Sequence, residues 1–298
     1  MIARPTLLPD PEQEWERSDA LSVTRAEVEQ RIGALDGALE LFIGGRANTN
    51  VAIGADRVLR IYRRDPKALD IEHALLTRSW QSLRVPRVLA AGSDFLLLER
   101  VAHGPLEASR EHGTAVGRAL AEIHRQRFEF AGFFGSKLGV SQPLPDFVAA
   151  LEGHLRELFL GASAAHRDLE EAVFQHLADK RSALIEAASQ PVLLHGDFKP
   201  SNLHWAAEGR PLVLDWEFAF AGPALMDIGQ LLRWSPPLAF LDAFASAYQD
   251  AGAQLPSGWR ALASAFDLAN LVGLLANAAP GSRRARDARD RISLTFLD

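Results

Sequence analysis

Between positions 195 and 202 the chain reads His195-Gly196-Asp197-Phe198-Lys199-Pro200-Ser201-Asn202, its densest polar run. The apolar stretch Val192-Leu193-Leu194 precedes it and Leu203-His204-Trp205 follows, so these polar residues fall in a loop that Pro200 constrains. Asp215 ends a second apolar stretch, Pro211 to Leu214, and Glu208-Gly209-Arg210 supplies a turn between the two. A hairpin at that turn sets Asn202 and Asp215 side by side. An amide oxygen and a carboxylate converging there make a hard-oxygen site suited to Mg²⁺. Asp197, on the same loop as Asn202, is then placed to accept a proton from an alcohol. Phosphoryl transfer needs those parts, because its catalysis is mainly positioning and charge neutralisation.

The constellation resembles the aminoglycoside phosphotransferase and choline kinase-like family, a branch of the protein-kinase-like fold. The family's H-G-D-x-x-x-x-N loop is matched by His195 to Asn202, and its D-x-E metal motif by Asp215-Trp216-Glu217. The resemblance implies Asp197 as base or substrate-orienting group, Asn202 as a metal ligand, Asp215 as the principal Mg²⁺ ligand and Glu217 as an accessory acidic position. His195 belongs to the same catalytic loop, more as a hydrogen-bonding support than as an acid or base. Gly44-Gly45-Arg46-Ala47-Asn48-Thr49-Asn50 matches the family's phosphate loop: Gly44 and Gly45 admit close backbone approach, and Asn48 or Thr49 can add donors. Arg60, in Val58-Leu59-Arg60-Ile61-Tyr62, stands where kinases keep a phosphate-binding lysine, and Glu72 resembles the glutamate that pairs with it. Glu99-Arg100-Val101 resembles the adenine-binding segment, where backbone at Glu99 and Val101 does the recognition. The cofactors implied are ATP and Mg²⁺.

Lys199 lies two residues after Asp197, within reach of a transferring γ-phosphate. The wording H-x-D-x-K-P-x-N is similar to that of serine/threonine protein kinases, which keeps a protein kinase as one alternative. A nucleotide-binding regulator without turnover is another. Against the protein kinase, no Ser, Thr or Tyr lies between Trp216 and Asp227, so a phosphorylated activation segment has no room there. The expectation is therefore an ATP- and Mg²⁺-dependent kinase acting on a hydroxyl of a small molecule: aminoglycoside-like, choline-like or another metabolic alcohol. Asp146, Glu152 and Glu157 suit a polycationic acceptor, whereas Trp216, Trp234 and Phe134 suit a quaternary ammonium.

Composition is consistent with a soluble enzyme. The 298 residues are 48% hydrophobic and 23% charged with a net charge of −6, a globular balance without the basic excess of a nucleic-acid binder. There is no cysteine, which removes thiolate chemistry and disulfides. Only Lys67, Lys137, Lys180 and Lys199 can serve lysine chemistry. No apolar run is long enough for a membrane span, and an acidic, Pro-containing start is no signal peptide, so the expected setting is cytoplasmic. Nothing in the letters speaks to oligomeric state.

The elements that must position these groups follow from periodicity. Residues 1–20 read as an N-terminal arm and 21–99 as a nucleotide-binding lobe. Thr24 and Glu27 form a capping box before a short helix. Leu39 to Ile43, Asn50 to Ile53, Val58 to Tyr62, Arg87 to Ala91 and Phe95 to Glu99 read as five strands, interrupted by a helix that Asp65 caps and Pro66 opens. Residues 100–105, punctuated by Gly104-Pro105, read as a hinge. Residues 106–298 read as a mostly helical acceptor-binding lobe, with helices near 109–126, 146–160, 167–189, 223–233, 238–251, 258–279 and 284–296. The fold class predicted is α+β: a bilobal protein-kinase-like fold with a small five-stranded antiparallel N-lobe sheet, one principal helix and a larger helical C-lobe.

Overall fold

The computed structural model describes residues 6–9, 11–15, 23–35, 39–41, 48–63, 65–161 and 166–297. Gly44 and Gly45 of the phosphate-loop match lie outside the described residues. The capping box forms: the Glu27 N–H donates to Thr24 Oγ1 at 3.2 Å and the Thr24 N–H to Glu27 Oε2 at 2.7 Å, starting α1 (Arg25–Ile32). Strands β1 (Leu39–Leu41), β2 (Asn48–Ile53) and β3 (Arg57–Tyr62) follow. Asp65 then accepts the Lys67 N–H at 2.9 Å, and with Pro66 in the first turn α2 runs over Pro66–Leu76. β4 (Val88–Ala91) and β5 (Phe95–Glu99) complete an antiparallel sheet of order β1-β2-β3-β5-β4.

Strand periodicity sorts the side chains of this sheet between two helices. Val51, Ile53, Leu59, Ile61 and Leu97 pack with Val28 of α1, whereas Tyr62, Leu96 and Leu98 join Leu75 and Leu76 of α2 on the opposite face. Burying a side chain such as Leu59 or Leu96 completely contributes about 2 kcal/mol. Arg60 falls on the α2 face by the same alternation, which is why it meets Glu72.

The residues read as a plain hinge take part in a sheet: β6 (His103–Pro105) is a strand. Beyond it come α3 (Arg110–His124), β7 (Gly132–Phe134), β8 (Val140–Pro143), α4 (Phe147–Gly161), α5 (Arg167–Ala188) and β9 (Val192–Leu194). β10 (Leu203–Ala206), β11 (Pro211–Val213) and β12 (Phe220–Gly222) lead into α6 (Leu225–Leu232), α7 (Leu238–Asp250), α8 (Trp259–Ala276) and α9 (Arg283–Thr295). The seven helices expected beyond the hinge are all present. β7, β8 and β12 were not anticipated from the sequence. β6 pairs with β10 in a three-stranded sheet of order β11-β10-β6; a four-stranded sheet runs β8-β7-β12-β9.

The helices around these sheets pack closely where α3 meets α7. A Cβ on Gly117 would stand 2.3 Å from the Phe244 carbonyl oxygen, so only glycine permits this approach. We expect Gly117→Ala to force the two helices apart and cost about 2 kcal/mol, read as a fall of roughly 6 °C in thermal midpoint. An unchanged midpoint would contradict that packing.

Candidate active site

The polar loop and the acidic motif lie where the chain leaves one small sheet and returns to it. β9 ends at Leu194 in the four-stranded sheet; the chain crosses to β10 and β11 in the three-stranded sheet, then comes back as β12, paired Phe220 to Leu194. Residues 195–202 form the outward crossing and residues 214–219 the return. Leu203 faces Val213 across the hairpin, and the Leu214 N–H donates to the Asn202 carbonyl at 3.0 Å. The hairpin predicted at Glu208 to Arg210 thus brings the Asn202 and Asp215 ends of the two strands together.

Gly196 makes the outward crossing possible. Its φ is 80°, and a Cβ there would meet the Phe218 carbonyl oxygen at 2.1 Å. Asp227 of α6, fully buried, fixes the loop by accepting the His195 N–H at 2.8 Å and the Gly196 N–H at 2.9 Å. It also accepts from His124 Nε2 at 3.1 Å. Gln230, one turn along, accepts the Phe198 N–H and donates to the Gly196 carbonyl at 2.7 Å. Asp227 thus braces the start of the loop through both carboxylate oxygens. Gln230 carried no sequence signal beyond its spacing from Asp227 on one helix face. His195 is completely buried; Nε2 meets the Leu214 carbonyl at 2.9 Å and Nδ1 meets the Asp197 N–H at 3.2 Å. Both ring nitrogens are engaged by backbone, leaving none for proton transfer.

Asn202 donates through Nδ2 to Asp197 Oδ2 at 2.8 Å and to the Asp197 carbonyl at 2.9 Å. Lys199 Nζ lies 3.1 Å from the same Oδ2. Both contacts fall on one carboxylate oxygen, and Oδ1 is left without either. Burial opposes the Lys199 charge, but Asp197 and then Glu12 outweigh it and hold the ammonium above its ordinary value. Glu12, from the N-terminal arm, is 2.9 Å from Lys199 Nζ, a contact without any local sequence signal.

The return crossing carries the acidic cluster. Asp215 adopts φ 66°, a left-handed turn that an aspartate tolerates, and its carboxylate pairs with Arg60. Arg60 also contacts Glu72 at 2.9 Å and Glu217 at 3.6 Å, so one guanidinium serves three carboxylates. Tyr62 donates to Glu72, and the Trp216 N–H reaches the other Glu72 oxygen at 3.4 Å. Burial works against the Arg60 charge, yet Asp215 and Glu72 keep its pKa well above the ordinary range. Burial also tends to raise Asp215, but Arg60 overcomes it and draws the carboxyl down. Glu72 is raised by burial, which Arg60 only partly offsets. Glu217 is pushed up to about 8 by burial and then by the charge of Asp215.

The expected Arg60–Glu72 pair is present, whereas the link from Arg60 to Asp215 and Glu217 was not foreseen. Asn48 donates to Glu217 at 2.6 Å, and Thr49 accepts from Arg63 at 3.2 Å. The Glu99 carboxylate pairs with Arg84, and its N–H donates to the Arg87 carbonyl at 2.9 Å; the Val101 carbonyl accepts from His103 Nδ1 at 2.8 Å. Among the acceptor candidates, Asp146 accepts the Ala149 N–H at 2.9 Å and Glu152 pairs with Arg181 at 3.0 Å. Trp216, Trp234 and Phe134 are buried, so they form no open aromatic box.

Donor chemistry fits a hard divalent cation. Asp215, Glu217 and the Asn202 amide oxygen are hard-oxygen donors, and three carboxylates around one guanidinium leave the cluster short of positive charge. Among the described residues there is no group of three or more His, Cys, Asp and Glu arranged around a metal, so an amide oxygen would have to complete the set.

A five-stranded antiparallel sheet whose basic strand residue pairs with a glutamate on the following helix, set on a mainly helical body with a braced Asp-to-Asn loop, is a protein-kinase-like fold. Within that class the chain belongs to the phosphotransferase enzyme family, whose profile matches residues 38–264, and it is a phosphotransferase. No curated protein sequence matches it. Among solved structures it is similar to a putative fructosamine-3-kinase from Thermobifida fusca YX-ER1, with 20% identity, TM-score 0.64, and 92% of this chain and 98% of that one covered. A choline/ethanolamine kinase family protein from Mesorhizobium loti has 19% identity and TM-score 0.64, with 92% of each chain covered. A thermostable mutant of aminoglycoside phosphotransferase APH(4)-Ia, in a ternary complex with ADP and hygromycin B, has 19% identity and TM-score 0.64, with 91% and 96% covered.

Proposed function

We propose that this phosphotransferase moves the γ-phosphoryl group of ATP, with Mg²⁺, to a hydroxyl group of a small molecule. The observation that carries the reading is the pair of crossings between the small sheets, which sets the Asp197–Asn202 pair beside the Asp215–Arg60–Glu72 cluster. Asp215 and Asn202, with Glu217 accessory, would hold the cation, and a bound Mg²⁺ would neutralise charge on the phosphates. Asp197 Oδ1, clear of the Asn202 and Lys199 contacts, orients the alcohol and takes its proton as the oxygen attacks phosphorus. The bond between γ-phosphorus and the bridging oxygen breaks, and ADP leaves with that electron pair. Lys199 offsets charge on the transferring group.

Arg60 and Glu72 keep α2 docked and the nucleotide side of the site in place. Gly44, Gly45, Asn48 and Thr49 would cover the phosphates, and backbone at Glu99 and Val101 would meet the adenine. On this reading residues 1–20 are an arm, 21–99 the nucleotide lobe, 100–105 the connection and 106–298 the catalytic and acceptor-binding lobe. The supply of ATP fits a cytoplasmic setting, and among the described residues no helix is long and apolar enough to cross a membrane.

The compounds that figure in the names of the structural relatives make a rational panel: choline, a fructosamine and hygromycin B, with casein as a protein control. Incubation with Mg²⁺ and [γ-³²P]ATP is expected to label a small hydroxylated compound with matching ADP release. Label appearing in casein alone would overturn the small-molecule reading.

A further inference from the structure

The arm ahead of the first sheet does not stay with that sheet. Leu8 donates its N–H to the Leu106 carbonyl at 3.1 Å, and Ala108 returns one to Thr6 at 2.6 Å, so the arm begins as a strand-like pairing beside the connection. At its other end Trp15 is 7% exposed, donates Nε1 to Asp287 of α9 at 2.7 Å, and meets the Trp234 ring edge-on at 5.7 Å. Glu14 pairs with Arg283. Between these anchors Glu12 enters the catalytic loop, with Oε2 2.9 Å from Lys199 Nζ. Its Oε1 is buried without a hydrogen-bond partner. A carboxylate sunk that far is costly unless its charge is used.

Given the phosphotransfer reading above, on which this rests, we propose that Glu12 is a positioning residue that holds the Lys199 ammonium for the transferring phosphoryl group. An ammonium has three N–H donors on a flexible four-carbon stem. Glu12 at 2.9 Å and Asp197 at 3.1 Å take two of them from fixed directions, which aims the third. Without Glu12 the ammonium is tied only to Asp197 and folds onto the carboxylate that must receive the acceptor proton. The arm is thus a working part of the catalytic loop, supplied from the opposite end of the sequence.

The test uses the full chain with Mg²⁺ and ATP, water serving as phosphoryl acceptor. Glu12→Ala is expected to lower kcat for ATP hydrolysis about tenfold with KM for ATP within about twofold, and Glu12→Asp to recover most of the loss. In a Lys199→Met background Glu12→Ala should add nothing further, since the effect runs through that lysine. An activity-free readout is calorimetric: the preference for a β,γ-methylene ATP analogue over ADP should shrink in Glu12→Ala to the value seen in Lys199→Met. Parent kcat and parent nucleotide preference in Glu12→Ala would overturn the inference. So would an undiminished Glu12→Ala effect in the Lys199→Met background, or a loss of kcat that only tracks a lowered thermal midpoint. Asp197→Asn separates the two levels. If it hydrolyses ATP at the parent rate, the phosphotransfer reading itself fails; if it is inactive while Glu12→Ala is normal, only the role of Glu12 fails.

Discussion

Asp197→Ala is expected to lower kcat for acceptor-dependent ADP release about 10³-fold, within the range that loss of a positioned general base produces. Nucleotide affinity should change little, because the Arg60, Glu72 and Asp215 cluster does not use Asp197. The side chain is the shared end of two contacts, from Asn202 at 2.8 Å and Lys199 at 3.1 Å, so alanine frees both partners as well as removing the proposed base. Asp197→Asn keeps the size but offers no carboxylate to take the proton, and should lose nearly as much. Steady-state ADP release together with calorimetric binding of ADP separates the two effects. A variant that keeps its kcat would remove Asp197 from the chemistry.

Asp227→Asn is expected to destabilise the fold by about 3 kcal/mol, the scale of breaking a buried charged network. The native carboxylate is fully buried and satisfies three donors: the backbone N–H groups of His195 and Gly196 and His124 Nε2. An ionised carboxylate only accepts, whereas an amide must turn an NH₂ toward at least one of those donors. His124 cannot easily retreat, since its Nδ1 is 2.8 Å from the Tyr248 hydroxyl. The thermal midpoint should fall by roughly 9 °C, and kcat should fall with it because His195 and Gly196 lose their brace. An unchanged midpoint with unchanged kcat would show that the loop stands without this anchor.

Legibility in the sequence followed how local the physics was. Asp65 with Pro66, and Thr24 with Glu27, are caps whose partners sit within a few residues, so α1 and α2 start where their letters say. The strand Phe95–Glu99 is as predicted, because its alternation divides Leu96 and Leu98 from Leu97. β7 and β12 have three residues each, too few for a period to register; they exist through pairing with each other and with β9. The Asp197, Asn202 and Asp215 set was legible because a single hairpin assembles it. Glu12 was not, since its contact with Lys199 depends on where a nonperiodic arm is carried by Leu8 and Trp15. Arg60 showed one partner in sequence and three in space, because Asp215 and Glu217 are more than a hundred residues away along the chain and arrive only through the return crossing.

The strand made from the connection has a mechanical consequence. β6 is bonded to β10, and nearby the Arg84 N–H donates to the Pro211 carbonyl at 2.7 Å while the Val213 N–H returns to the Arg84 carbonyl at 2.9 Å. The hairpin ending in Asn202 and Asp215 is therefore stitched on both edges to segments entering and leaving the five-stranded sheet. Trp80 stacks on Trp216 just beneath, at 5.4 Å. Any displacement of the five-stranded sheet must therefore carry the edges of this hairpin with it or break one of these backbone bonds.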